Sequence, residues 1–300
     1  MKGKKWRRKV KLEKLIYKRF SGAKELTKYL SIFSGCPAIF NPEAPEDNQD
    51  GWEGRAQYPR IVYNLDIQAN EERKSAGTLL VSLLCQNTEK VTPEEIEVEI
   101  RKCLRDIVIK PENGILYVFT WSRTDAFTLQ EKNLDFIIGS DIRFDILEYS
   151  LQETTDPDPI MAINQYIKKL YADCLVIGFD RIEELTEATK EQPILYCQLV
   201  ALEKAEETNT VAWMDSRIAV HILCPDSEKR LKMAAAIVNQ MSLDGEIILL
   251  DKSPMFIKRL QVNYKSDYLK DGQIFVTGHY GLLRYKEKPH MLQGAYLKYT

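Results

Sequence analysis

Histidine occurs only three times in 300 residues, and the six cysteines include no CxxC pair. The first scarcity leaves little material for general-base catalysis, and the second removes the usual spacing of a zinc site or a redox dithiol. Phosphate-cradling loops are missing too: GxGxxG and GxxxxGK[ST] do not occur, nor do HExxH and GxSxG. Ser21 to Lys24 satisfy S-x-x-K, but the companion S-D-N and K-T-G signatures are lacking. No stretch approaches the roughly 18 uncharged residues of a membrane span, and the first residues lack an apolar secretory segment. The sequence therefore predicts a reduced, cytosolic non-enzyme with no cofactor, no metal and no membrane contact. His221 reads as a satisfied histidine inside an apolar strand. Glu94, Glu95, Glu97 and Glu99 read as the start and outer face of a helix.

What is present is a long, partly apolar chain with a lopsided charge. At 44% hydrophobic and 29% charged, its length favours two domains over one. The formal charge of −2 conceals a +9 balance in the first 20 residues, where ten cations face only Glu13. Lys4, Lys5, Arg7, Arg8, Lys9 and Lys11 form its densest part. Leu12, Leu15, Ile16 and Phe20 recur at helical spacing, which predicts a helix with one apolar stripe among cations. Such an arm (1–20) suits nucleic acid, an anionic surface or an acidic partner, or packs its stripe on its own domain.

Beyond the arm, "AKELTKYLSIF" predicts a helix with Leu26, Tyr29, Leu30 and Phe33 on one face, ended by Gly35 and Pro37. A polar connection follows. "PRIVYNLDIQ" alternates as a half-buried strand, the polar 68–77 segment reads as a turn, and "TLLVSLLC" reads as a more fully buried strand. Thr92, Pro93 and Glu95 spell a capping box, and Ile96, Ile100, Cys103, Leu104 and Ile107 give the helix its apolar face. "GILYVFTW", "AFTLQ" and "DIRFDILEY" then predict three strands, with "SRTDAF" as a turn.

The same order returns after a Pro- and Asp-rich linker (151–159). A helix carries Ile160, Ile163, Ile167 and Leu170, and "PILYCQLVAL" and "SRIAVHILC" supply strands. Asp226 then caps a helix whose inner face holds Leu231, Ala235, Val238 and Met241. The offsets are 134 residues from Pro59 to Pro193, 139 from Cys85 to Cys224, 131 from Gly114 to Gly245 and 132 from Ile142 to Ile274. The predicted fold class is α+β: two similar domains (21–150 and 160–285), each a mainly antiparallel β-sheet packed with helices, and a C-terminal tail (286–300). In the second domain, 203–216 reads as a longer hairpin loop, and its Trp213 and Met214 are candidates for a protein interface.

The stretch "YPRIVYNLDIQANEERKSAGTLLVSLLCQNTEKVTPEEIEVEIRKCL", echoed by "PILYCQLVALEKAEETNTVAWMDSRIAVHILCPDSEKRLKMAAAIVNQM", resembles the small tail terminator (tail completion) proteins of tailed bacteriophages. The resemblance implies a virion structural protein of the tail-neck region, assembled in the host cytoplasm. It would form a hexameric ring, or a pseudo-hexameric one built from three duplicated chains, that caps the tail tube and joins it to the head connector. Tube, connector and sheath proteins would be its partners, with DNA passing through the ring. The alternative is a nucleic-acid-binding or regulatory protein acting through the basic arm.

Overall fold

The computed structural model describes residues 2–54, 57–67, 75–87, 92–130, 136–150 and 157–284, residues 2–11 as backbone only. The first half runs α1 (Lys2–Gly22), α2 (Lys24–Thr27), β1 (Ile32–Phe33), β2 (Cys36–Pro37), β3 (Ile39–Phe40), β4 (Arg60–Ile67) and β5 (Gly77–Gln86). It continues with α3 (Pro93–Leu104), β6 (Ile107–Ile109), β7 (Leu116–Gln130) and β8 (Phe136–Tyr149). The second half runs α4 (Pro159–Leu170), β9 (Leu175–Val176), β10 (Leu185–Glu187), β11 (Ile194–Glu207) and β12 (Val211–Leu223). It closes with α5 (Ser227–Asp244), β13 (Glu246–Ile248), β14 (Pro254–Val262) and β15 (Ile274–Leu283).

Two large sheets result, ordered β10-β6-β7-β8-β5-β4-β3 and β13-β14-β15-β12-β11-β9. Without β10 the two orders are the same, strand for strand. The senses agree as well: β3 with β4 and β9 with β11 are parallel, and the other pairs between counterpart strands are antiparallel. The chain is thus an α+β protein of two similar domains.

Register tests the sequence offsets residue by residue. Arg60, next to Pro59, pairs with Leu84, and Ile194, next to Pro193, pairs with Leu223, so Cys85 and Cys224 hold equivalent places. Val81 pairs with Ile142 and Val220 with Ile274, again 139 and 132 residues apart. The glycine offset fails, because β6 went unread and the strand after Gly245, which is β13, was matched to the strand after Gly114, which is β7. Gly245, left-handed at φ 71°, ends α5 where Asp106 (φ 53°) follows α3, whereas Gly114 lies in the next turn, as Lys252 does.

Packing follows the periodicities in the sequence. Ile61, Tyr63 and Leu65 of β4 and Leu79, Val81, Leu83 and Cys85 of β5 point into the first core, covered by Ile96, Ile100 and Leu104 of α3. Leu12, Ile16 and Phe20 of α1 are fully buried in that core, so the stripe of the basic arm packs on its own domain. The second core gathers around Ile163 and Ile167 of α4 and Met233, Ile237 and Met241 of α5.

Several local expectations are corrected. The predicted helix over 23–33 shrinks to α2, and Phe33 belongs to β1. β5 alternates buried with half-buried residues, since its outer face lacks a covering layer. Thr92 makes no side-chain cap bond, although Pro93 does open the helix, and Ile107 belongs to β6. "SRTDAF" is no turn: β7 runs unbroken for 15 residues past one bulge between Trp121 and Arg123. On α5, Leu231 is exposed and the inner face is Met233, Ala234, Ile237 and Met241. The 203–216 stretch is no loop but the outer part of the β11–β12 ribbon, where Trp213 pairs with Glu206 and Gly281. The polar 68–74 turn, most of the linker (151–156) and the tail from 285 lie outside the described residues.

Candidate assembly interface

Burial on both faces of a strand needs a second layer, and β6 has one: all three of its residues are buried. Ile107 and Ile109 face the first core, while Val108 turns outward into a separate apolar cluster. Leu116, Val118, Leu147 and Tyr149 of β7 and β8 join Val108 there. The other side of that cluster comes from the second domain, chiefly Ile182, Ile194, Tyr196, Leu223 and Leu269. The two domains therefore meet sheet face to sheet face.

The edge is closed too. The β9–β11 connection leaves its own domain and lays β10 antiparallel along β6, pairing Leu185 with Ile109 and Glu187 with Ile107. Backbone bonds extend the pairing on both sides, Lys110 N–H donating to the Glu184 carbonyl (2.9 Å) and Ala188 N–H to that of Asp106 (2.8 Å). Arg19 at the end of α1 meets Glu187 at 2.8 Å, and Lys18 meets Glu184 at 3.6 Å. An acidic connection thus lies on a basic rim.

Polar groups fix how the joint is seated. Tyr149 and Tyr196 stack at 4.2 Å and 10°, with His221 against both rings. Tyr149 donates to the Leu269 carbonyl (2.7 Å), Tyr196 to that of Ser150 (3.0 Å), and Tyr268 to the Asp106 carboxylate (2.7 Å). Burial pushes the Asp106 carboxyl up despite the Tyr268 hydroxyl and the Arg105 and Arg230 charges. Burial pushes the His221 imidazole down, so it is held neutral, its Nδ1–H donating to the Tyr268 carbonyl at 2.9 Å. His221 is the strand histidine the sequence suggested, but it is satisfied at one nitrogen only: its Nδ1 partner lies in the β14–β15 connection, and its buried Nε2 has no hydrogen-bond partner among the described residues.

The second domain offers the same surface without a cover. Among the described residues β13 has one neighbour, β14, and its far edge carries no strand. Where β6 has the fully buried Val108, register puts exposed Glu246 on β13, and Ile248 faces outward two residues on at 53% exposure. Phe256 and Leu283 are exposed beside it, and with Val211, Trp213 and Pro254 they line a groove of about 470 Å³. Trp213 stacks flat on His279 (4.8 Å, 5°), whose ring bonds Asp215 at 2.6 Å. Burial alone would raise the Asp215 carboxyl, but the bonds from His279 and Lys258 outweigh it and hold it below its ordinary value.

The predicted interface residues thus part company. Trp213 is half-buried and borders the groove, while Met214 turns inward and packs against the second core. The side chains of Lys4, Lys5, Arg7, Arg8, Lys9 and Lys11 lie outside the described residues, although α1 itself reaches back to Lys2. The residues of the joint went unread in the sequence. One signal was available: "IVI" and "LYVF" are apolar at every position, which marks two covered faces. Compared with family models, curated proteins and solved structures, the chain finds no match.

Proposed function

We propose that this chain is a structural subunit of a closed ring that resembles the tail terminators of tailed phages, capping a tail tube and meeting the head connector. The observation that carries this reading is the joint between the domains. It is heterologous: the β6–β7–β8 side of one domain receives a different side of its near-copy. A contact of that kind generates rings when its rotation closes. Two domains per chain suit a pseudo-sixfold ring of three chains, although six chains with the second domain outside satisfy the same family likeness. Tail tube protein, connector and sheath are the partners this role requires, and DNA passes through the opening. The test is to image the purified full-length chain by negative stain, alone and with tail tubes of its phage. Rings seated on tube ends are expected. Chains that neither form rings nor bind tubes would overturn the reading.

A further inference from the structure

We propose that β13 and the outward face beside it receive the first domain of a second copy of this chain, by a repeat of the joint that β6 makes with β10. The inference rests on the ring reading above and replaces an unspecified contact with two named surfaces. Its basis is the equivalence of the two domains in strand order and sense, which makes β13 the counterpart of β6. In one copy of the fold that edge and face are covered by a domain; in the other they are open among the described residues.

The open face is apolar in part, with charges among its apolar groups. Ile248, Leu250, Phe256 and Leu283 are all exposed, a concentration of aliphatic and aromatic surface at one edge of the second sheet. The donor surface would be the start of β4, the end of β5 and the β3–β4 connection. Register makes Val62 and Leu84 the counterparts of Tyr196 and Leu223; both are half-buried in the single chain, where Tyr196 and Leu223 are buried by the joint.

Charge is mixed at the open edge. In the joint, Glu184 and Glu187 of the connection face Lys18 and Arg19. The β3–β4 connection is likewise acidic, with Glu43, Glu46, Asp50 and Glu53 exposed; the open edge presents exposed Lys252 and Arg259 to meet them, beside exposed Glu246 and Asp251. The connection is already shaped: Trp52 packs edge-on against Phe33 (5.0 Å) and Phe40 (5.9 Å), and its indole N–H donates to the Glu46 carbonyl. It can therefore cover the β13 edge as a formed lobe, one of the ways an exposed edge is closed.

The experiment uses two full-length variants and sedimentation velocity. Ile248→Lys with Phe256→Glu spoils the receiving face, and Val62→Lys with Leu84→Lys spoils the donor. The parent should form oligomers larger than dimers, and each variant should associate at least about tenfold more weakly. Because the contact is head to tail, an equimolar mixture of the two variants should form a one-to-one heterodimer and nothing larger. Unchanged circular dichroism and melting of the receiving-face variant would show that its fold is intact, since both of its sites are exposed. Oligomers that survive in the receiving-face variant would overturn the proposal. So would a monomeric parent that assembles only after residues 285–300 are removed, which would give the groove to the chain's own end. Rings that ignore tail tubes would sink the proposed function and leave this contact standing. Tube ends capped by the receiving-face variant would do the reverse.

Discussion

β6 ends against protein on both faces and along its edge, while β13, at the same place in a domain of the same topology, is covered by the described residues on only one of those three sides. The sequences show why. β6 reads Ile107-Val108-Ile109, apolar throughout, and the strand after it begins Leu-Tyr-Val-Phe. β13 reads Glu246-Ile247-Ile248, and β14 soon reaches Lys258 and Arg259. A surface buried at all times inside one chain can be made of aliphatic residues alone. A surface that a free subunit exposes before assembly needs charges among its apolar groups to stay soluble. The domains also lengthen different hairpins: the first extends β7 and β8, the second β11 and β12. The shared scaffold holds each core, and the differences lie at the places where domains meet neighbours.

This contrast can be broken most forcefully at the outward residues of the two counterpart strands. Val108→Asp places an unpaired carboxylate in a closed apolar layer and should cost more than about 4 kcal/mol, seen as a collapse of the urea midpoint or of soluble yield. Ile248→Asp in the free chain should stay within about 0.5 kcal/mol. Equal costs at the two sites would mean that the two faces are not covered as differently as their burial indicates.

The histidine in the joint gives a pH test. Burial lowers the folded-state pKa of His221 below the ordinary 6.5, against the opposing pull of Asp267 and Asp271. The unfolded chain therefore takes up the proton first, and stability present above pH 6.5 is lost as pH falls toward the folded-state value. The melting midpoint should fall between pH 7 and 5, and His221→Asn, which keeps a donor for the Tyr268 carbonyl, should flatten that slope. An unchanged slope in the variant would place the titration elsewhere.

Helix caps sharpen the comparison on a smaller scale. Asp226 accepts from Lys229 N–H at 3.0 Å, whereas Thr92 caps nothing with its side chain. Asp226→Ala should lower the melting midpoint, and Thr92→Ala should leave it within error. The smallest effect belongs to the half-exposed pair across the joint. Glu187→Gln should cost less than about 1 kcal/mol by urea titration, and that cost should shrink as salt is raised.

The likeness of the two domains was legible because each has a proline before its first long strand and a cysteine at the end of the next, and pairing puts those residues in equivalent places. Where buried faces impose a period of two, as at Ile61, Tyr63 and Leu65, the strand could be read directly. The outer β11–β12 ribbon could not, because 203–207 is solvated on both faces and its strand geometry comes from its pairing with β12 at Glu203, Lys204, Glu206 and Glu207. "SRTDAF" misled for the same reason: β8, the next strand of the same hairpin, keeps it extended. Residues 177–193 gave no period, since β10 is three residues long and exists through its pairing with β6. The joint, which carries the functional argument, therefore lay in what one local window cannot report: which strand adds to which edge.

Of the six cysteines, five are buried, and burial lifts the Cys103 and Cys174 thiols to about 11 and that of Cys197 to about 12, far from the reactive thiolate. Cys36 is the exception, exposed in the β1–β2 hairpin beside the Phe33, Phe40 and Trp52 cluster. The unaltered chain thus supplies its own single attachment point for a maleimide dye, on the lobe proposed to dock. Quenching or shielding of that dye as concentration rises would report assembly in real time, with no engineered residue anywhere in the protein.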